Sequence, residues 1–121
     1  MTITLDQLMA SLAAMPARAT HRGRGVTAKH VDIATARAKA DALASWTRYG
    51  QGESGSAGTM RGRMSRDRSK VEGYMMADGD GAFQSEHGTH SRAPDPVMHR
   101  NAEAQVDAWA DGMSEMLADL L

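Results

Sequence analysis

The chain contains no cysteine, which excludes disulfide stapling, thiolate zinc sites and a cysteine nucleophile. Aromatic residues are scarce: Trp46, Trp109, Tyr49, Tyr74 and Phe83 are the only five among 121 residues. The core must therefore come from Ala, Leu, Val and ten methionines. A core that thin is marginal and borrows stability from partners. No run approaches the ~20 apolar residues of a membrane span, and the opening Met1-Thr-Ile-Thr-Leu-Asp6 lacks the basic and apolar regions of a secretion signal. The expectation is a soluble chain made in a reducing compartment, with room for one domain and none for a second.

Basic residues are missing from the end of the chain. All fourteen Lys and Arg lie in residues 1–100, against ten acids, a net of +4. Residues 101–121 hold Glu103, Asp107, Asp111, Glu115 and Asp119 with no cation, a net of −5. A chain polarised in this way suits contacts between copies. The expected interface sets Glu103, Asp107 and Asp111 of one copy against Arg61, Arg63 and Arg66 of the next.

The first helix opens with a capping box, Thr4 with Gln7 three positions on, followed by Leu5, Leu8, Met9, Leu12 and Met15 at helical spacing. Pro16 is expected to end it, and residues 17–25, basic and punctuated by Gly23 and Gly25, read as a flexible connection. Thr27 is the next expected cap, with Val26 stapled onto Val31, for an alanine-rich helix from Ala28 to about Tyr49. Residues 50–58, rich in glycine and serine, read as a second flexible loop.

Beyond that loop, Met60, Gly62 and Met64 alternate with Thr59, Arg61, Arg63 and Ser65, a period of two that predicts a strand with a cationic face. Asp67-Arg68 turns the chain, Ser69–Ala77 returns antiparallel, and Asp78-Gly-Asp80-Gly81 reads as a turn. After a short 82–86 segment, Asp95-Pro96 supplies a cap and a first-turn proline. Met98, Ala102, Val106, Trp109, Met113, Met116 and Leu120 then mark the inner stripe of an amphipathic helix with the five acids outside. The fold class is α+β: N-terminal helices, a small antiparallel sheet and a long C-terminal helix.

Chemistry-bearing constellations are few. His87 and His90 beside Glu86 match no metal-ligand spacing, and Asp78-Gly-Asp80-Gly81 lacks the later acid of a calcium loop. No phosphate loop, nucleophile elbow or His-Glu-x-x-His occurs. The reading is a non-enzyme with no cofactor or metal. The basic run Arg61, Arg63, Arg66, Arg68 and Lys70 could grip phosphates, although no aromatic is interleaved with it, so a nucleic-acid-binding regulator stands as the alternative.

Leu8-Met-Ala-Ser-Leu12, Gly58-Thr59-Met60-Arg61, Ala82-Phe83, Glu86-His87-Gly88-Thr89 and Pro94-Asp-Pro96-Val97-Met98 fall in an order that spans nearly the whole chain. In that order the chain resembles the tail-completion or neck proteins of long-tailed phages, the group that includes the HK-type tail component and is similar in role to the lambda tail-completion protein. It departs from their pattern in having Gly-Thr for Thr-Gly, Ala-Phe for an aromatic-Ala pair, and Val97 where Phe is frequent. The resemblance implies a structural virion protein, made in the bacterial cytoplasm, whose copies form a ring at the head–tail junction. Its implied partners are itself, head-closure or connector proteins and tail terminator or tail tube proteins, with room for nonspecific contact with channel DNA and no role at a membrane. In the residues themselves, Glu86, Gly88 and Thr89 read as a helix stop, its carboxylate available to backbone N–H groups, and Pro94 and Pro96 stiffen the approach to the last helix.

Overall fold

Two helices of unequal length run side by side in opposite directions and carry everything else. The computed structural model describes residues 4–46, 55–90 and 93–121. Helix α1 spans Leu5–Ser45, and α3 spans Val97–Leu120. Between them come a 3-10 turn at Ser56–Thr59, strands β1 (Arg61–Met64) and β2 (Gly73–Met76), and the short helix α2 (Asp80–His87). The fold is α+β, as the sequence indicates.

The capping box forms as expected: the Thr4 hydroxyl accepts from the Gln7 N–H at 3.2 Å, and the Gln7 side chain accepts from the Thr4 N–H at 2.9 Å. The helix does not stop at Pro16, however, and residues 17–25 are helical throughout. Thr27 lies mid-helix rather than at a cap. Long-range contacts explain the continuity. Gly23 sits where a Cβ would lie 3.2 Å from the Met113 Cε and 3.4 Å from the Val71 Cγ2, so the missing side chain admits its neighbours. Arg22 pairs with Asp119 of α3 at 3.3 Å, and the Thr20 hydroxyl donates back to the Pro16 carbonyl at 2.9 Å. Packing of this kind outweighs the ~1 kcal/mol that each glycine costs in a helix. Tyr49 and residues 50–54 of the expected loop lie outside the described residues. Ser56 and Ala57 of the same stretch are buried in the 3-10 turn.

The sheet is two antiparallel strands, shorter than the alternation predicts, with Arg61 opposite Met76 and Arg63 opposite Tyr74. Its inner face lies on α1 through two glycines. A Cβ at Gly62 would meet the Val31 Cγ1 at 2.6 Å and the Thr35 Oγ1 at 2.7 Å, and one at Gly73 would meet the Val31 Cγ2 at 2.6 Å. Val31 thus fills the space between the strands and the helix.

The core sits at the C-terminal end of α1, where Ala38, Ala42 and Trp46 meet Ala57, Met60, Ala82 and Val97. Trp46 is the largest fully buried side chain, and its indole N–H donates to the Asp95 carbonyl at 3.3 Å. The second Asp-Gly pair is not a turn: together with the short 82–86 segment it forms α2, which Gly79 opens at φ +90 and Gly88 closes at φ +78.

The inner face of α3 is rotated from the expected stripe. Val97, Gln105 and Met116 are its buried residues. Val106 is 51% exposed, Ala102 is exposed, and Met98, Trp109, Met113 and Leu120 are half-buried. Polar pairing with α1 sets this rotation: the Gln105 amide meets the His30 Nδ1 at 2.6 Å, and the Trp109 indole donates to the Thr27 hydroxyl at 2.9 Å.

Candidate interaction surfaces

Glu86, Gly88 and Pro96 belong to one joint between α2 and α3, with Thr89 and Pro94 on the chain that connects the two helices. Gly88 ends α2, donating to the Gln84 carbonyl at 2.8 Å from a left-handed conformation that favours glycine. The nearly buried Glu86 then reaches across to α3. Its Oε2 accepts the Met98 N–H at 3.0 Å and its Oε1 the His99 N–H at 2.8 Å. A carboxylate on the first-turn N–H groups satisfies donors that have no partner within the helix and meets the positive end of the helix dipole. This displaces the expected cap: Pro96 occupies the cap position, α3 starts at Val97, and no side chain in 95–96 caps it. Asp95 serves through its backbone, donating to the Ser85 carbonyl at 2.8 Å. Thr89 and Pro96 are half-buried and Pro94 is exposed.

A second cluster ties the same end of α3 to α1. Asp41 accepts from the Asn101 amide at 3.0 Å and from the Arg100 guanidinium at 3.0 Å, and Arg100 also lies 3.5 Å from Asp95. The Asn101 hydrogen bond, then that of Arg100, hold the Asp41 carboxyl below the usual aspartate range.

The basic hairpin divides into spent and unspent charge. Arg61 is engaged within its own chain, forking onto both carboxylate oxygens of Asp78 at 3.1 and 3.3 Å. Among the described residues no acid pairs with Arg63, Arg66, Arg68 or Lys70, and Arg66, Arg68 and Lys70 cluster at the exposed tip. The strand register also adds an aromatic that linear reading misses. Tyr74, 42% exposed, stands directly opposite Arg63 on the outward face, beside the exposed Met76. Only the pairing of the two strands reveals it, because Tyr74 lies eleven positions from Arg63 in sequence.

On α3, Glu103 lies 3.4 Å from His99, and Asp119 is held by Arg22. Asp107, Asp111 and Glu115, four positions apart on the exposed side, have no cation partner among the described residues. Of the six residues expected at an interface, Arg63, Arg66, Asp107 and Asp111 thus keep their charge free, while Arg61 and Glu103 have partners in their own chain.

The described histidines and acids form no group of three that could hold a metal ion. His30 bonds Gln105, and His87 stacks at 4.6 Å on Phe83. No helix among the described residues is long and apolar enough to cross a membrane. A shallow apolar cleft lies between α1, β2 and α3, lined by Val31, Ala34, Met75, Val106 and Trp109. No protein family, curated protein or solved structure matches this chain.

Proposed function

We propose that this chain is a non-catalytic structural subunit of a tailed-phage virion, a neck or tail-completion protein that closes into a ring at the head–tail junction. One observation carries the reading. Two of the segments on which the resemblance rests, 82–89 and 94–98, meet in a joint whose chemistry is architectural: a buried carboxylate holds the start of one helix against the end of another. A ring also needs two unlike surfaces, so that one face of a subunit meets a different face of the next. The free acids of α3 and the free cations of the hairpin tip supply such a pair. Individual exposed ion pairs contribute only about 0–1 kcal/mol, so several must act together and their effect must weaken with salt.

The test is made in the phage that encodes the chain. Its deletion is expected to leave filled heads and tails unjoined, and an antibody to the chain is expected to label the junction of intact particles. Replacing Glu103, Asp107 and Asp111 by lysine is expected to block joining while the subunit stays folded. Reversal of Arg63, Arg66 and Arg68 to glutamate should restore part of it. Joined, infectious particles without the chain would overturn the reading.

One observation favours a second reading. Tyr74 beside Arg63 gives the cationic face a surface on which a base could stack, as single-strand binders use. A nucleic-acid-binding regulator would bind oligonucleotides with an affinity that falls steeply between 50 and about 200 mM salt and would lose binding with Tyr74→Ala. A ring component shows little such binding at physiological salt.

A further inference from the structure

The two-stranded sheet has two free edges, and they are not alike. The Ser65 N–H donates to the Glu72 carbonyl at 2.9 Å, so 65 and 72 form a hydrogen-bonded pair that continues the strand register. Such pairs alternate along an antiparallel ladder, which gives the same standing to 63 with 74 and to 61 with 76. Gly73 and Met75 fall between them. Their N–H and C=O groups therefore point away from β1, and nothing among the described residues bonds them. On the other edge the outward groups belong to Gly62 and Met64, interleaved with Arg61 and Arg63, the kind of charge that keeps an edge from recruiting another strand. β2, Gly73-Tyr-Met-Met76, carries no charge at all.

Beside that bare edge lies the apolar cleft. β2 forms its near wall, Ala102 and Val106 of α3 its far wall, and Val31 and Ala34 of α1 its floor. Val106 and Tyr74 stand exposed on its two rims. A trough with unpaired main chain on one wall and apolar side chains on the other selects its occupant. An incoming helix has its own backbone bonds closed and would leave Gly73 and Met75 without partners. A second copy's β2 lies behind its own α3, so two such edges cannot meet. An extended segment brings the donors and acceptors that the edge lacks, and its alternate side chains drop onto the apolar floor.

We infer that the cleft between β2 and α3 is a docking site for an extended peptide segment of a partner protein, which joins the sheet as a third strand antiparallel to β2. The residues opposite Gly73 and Met75 each exchange a pair of backbone hydrogen bonds with them and turn apolar side chains inward, toward Val31 and Ala34. The residue between faces outward beside Tyr74. The residue opposite Glu72 also faces outward, where an exposed carboxylate has no cation partner among the described residues, so a Lys or Arg fits that position. The partner's signature is apolar, any residue, apolar, then a cation. The site uses neither the free acids of α3 nor the cations of the hairpin tip, and it does not depend on the ring reading.

The probe is a fluorescein-labelled peptide, Thr-Val-Thr-Val-Lys-amide, titrated with the full chain to about 1 mM, the weak end of the affinity scale. Its valines lie opposite Met75 and Gly73 and its lysine beside Glu72. Saturable binding is expected, with the amide resonances of Gly73 and Met75 shifting and becoming slow to exchange while those of Gly62 and Met64 stay in place. N-methylation of both valines removes the donors that face β2 and should weaken binding about tenfold or more. N-methylation of the central threonine, whose N–H points away from β2, should cost far less. Val106→Asp, at an exposed position, should lose most of the binding without moving the melting temperature. A terminal glutamate in place of the lysine should cost about two- to fivefold, and Glu72→Lys should reverse that preference. No binding up to that concentration overturns the inference. So does equal affinity for the valine-methylated peptide, which would mean that the cleft takes any apolar tail, or a response at Gly62 and Met64 in place of Gly73 and Met75. A charge preference that Glu72→Lys leaves unchanged overturns the register.

Discussion

The guanidinium of Arg24 donates to the carbonyl of Lys70 at 2.6 Å, tying the middle of the longest helix to the tip of the hairpin. The same side chain reaches the Ser65 carbonyl at 2.8 Å and the Asp67 carbonyl at 3.0 Å. Three carbonyls that turn in a tight loop are thereby satisfied by one planar fork. Arg24→Ala is expected to destabilise by about 1.5–3 kcal/mol, the range for hydrogen bonds to a charged group. Amides of residues 66–70 should exchange faster in the variant. Arg24→Lys should recover little, because an ammonium lacks the fork. Unchanged exchange at the tip in Arg24→Ala would refute the anchor.

Gly62 and Gly73 bring the sheet onto Val31 at distances no Cβ tolerates. Gly62→Ala should cost about 1–3 kcal/mol by overpacking. Val31→Ala in the same chain should relieve part of that loss. Melting of the two single variants and the double gives the coupling directly, and strict additivity would show that the contact is not the cause.

The two tryptophans should differ. Trp46 is fully buried and Trp109 only partly so. Trp46→Ala should cost about 3–5 kcal/mol, the range for a buried aromatic. Trp109→Ala should cost less than Trp46→Ala, because water already reaches its ring. Equal shifts in denaturant midpoint would contradict the burial pattern.

The lowered pKa of Asp41 gives acid stability a definite sign. Its contribution is fully present above the ordinary aspartate value of about 3.9 and fades as pH falls through the lower folded value. The melting-temperature gap between the parent chain and Asp41→Asn should therefore be constant from pH 7 to about 5 and close below about 4. A gap independent of pH down to 2 would show that the carboxylate charge plays no part.

Glu86→Ala removes the acceptor for two backbone donors at the start of α3 and should cost about 1–3 kcal/mol. Glu86→Gln keeps one acceptor oxygen and should lose less. Thermal melts of the two variants decide it, since equal losses would mean that only the side chain's bulk matters there.

Local signals in the sequence were sufficient where one short segment settles its own structure. The Thr4–Gln7 box, the alternation that makes the hairpin, the start of the last helix to within one residue and the division of charge were all legible, because each depends on neighbours a few positions apart. The α+β class followed from them. Other features were not legible, helix α2 in place of the Asp80-Gly81 turn among them. Helix α1 runs through Pro16, Gly23 and Gly25 because Met113, Met116 and Asp119 of a distant helix pack and pair with that stretch. Helix α3 buries Gln105 and leaves Val106 exposed because His30 lies opposite to accept a hydrogen bond, and hydrophobic periodicity carries no knowledge of partners on another element. Tyr74 joins the cationic face, and Arg61 leaves the pool of free charge, only once strand register and the reach to Asp78 exist. Sequence determined the first helix's start, the hairpin, the last helix and where the charges lie. Tertiary structure decided which breakers were overridden, which side of each helix faces inward and which charges remain unspent, because all three depend on contacts between residues far apart in the chain.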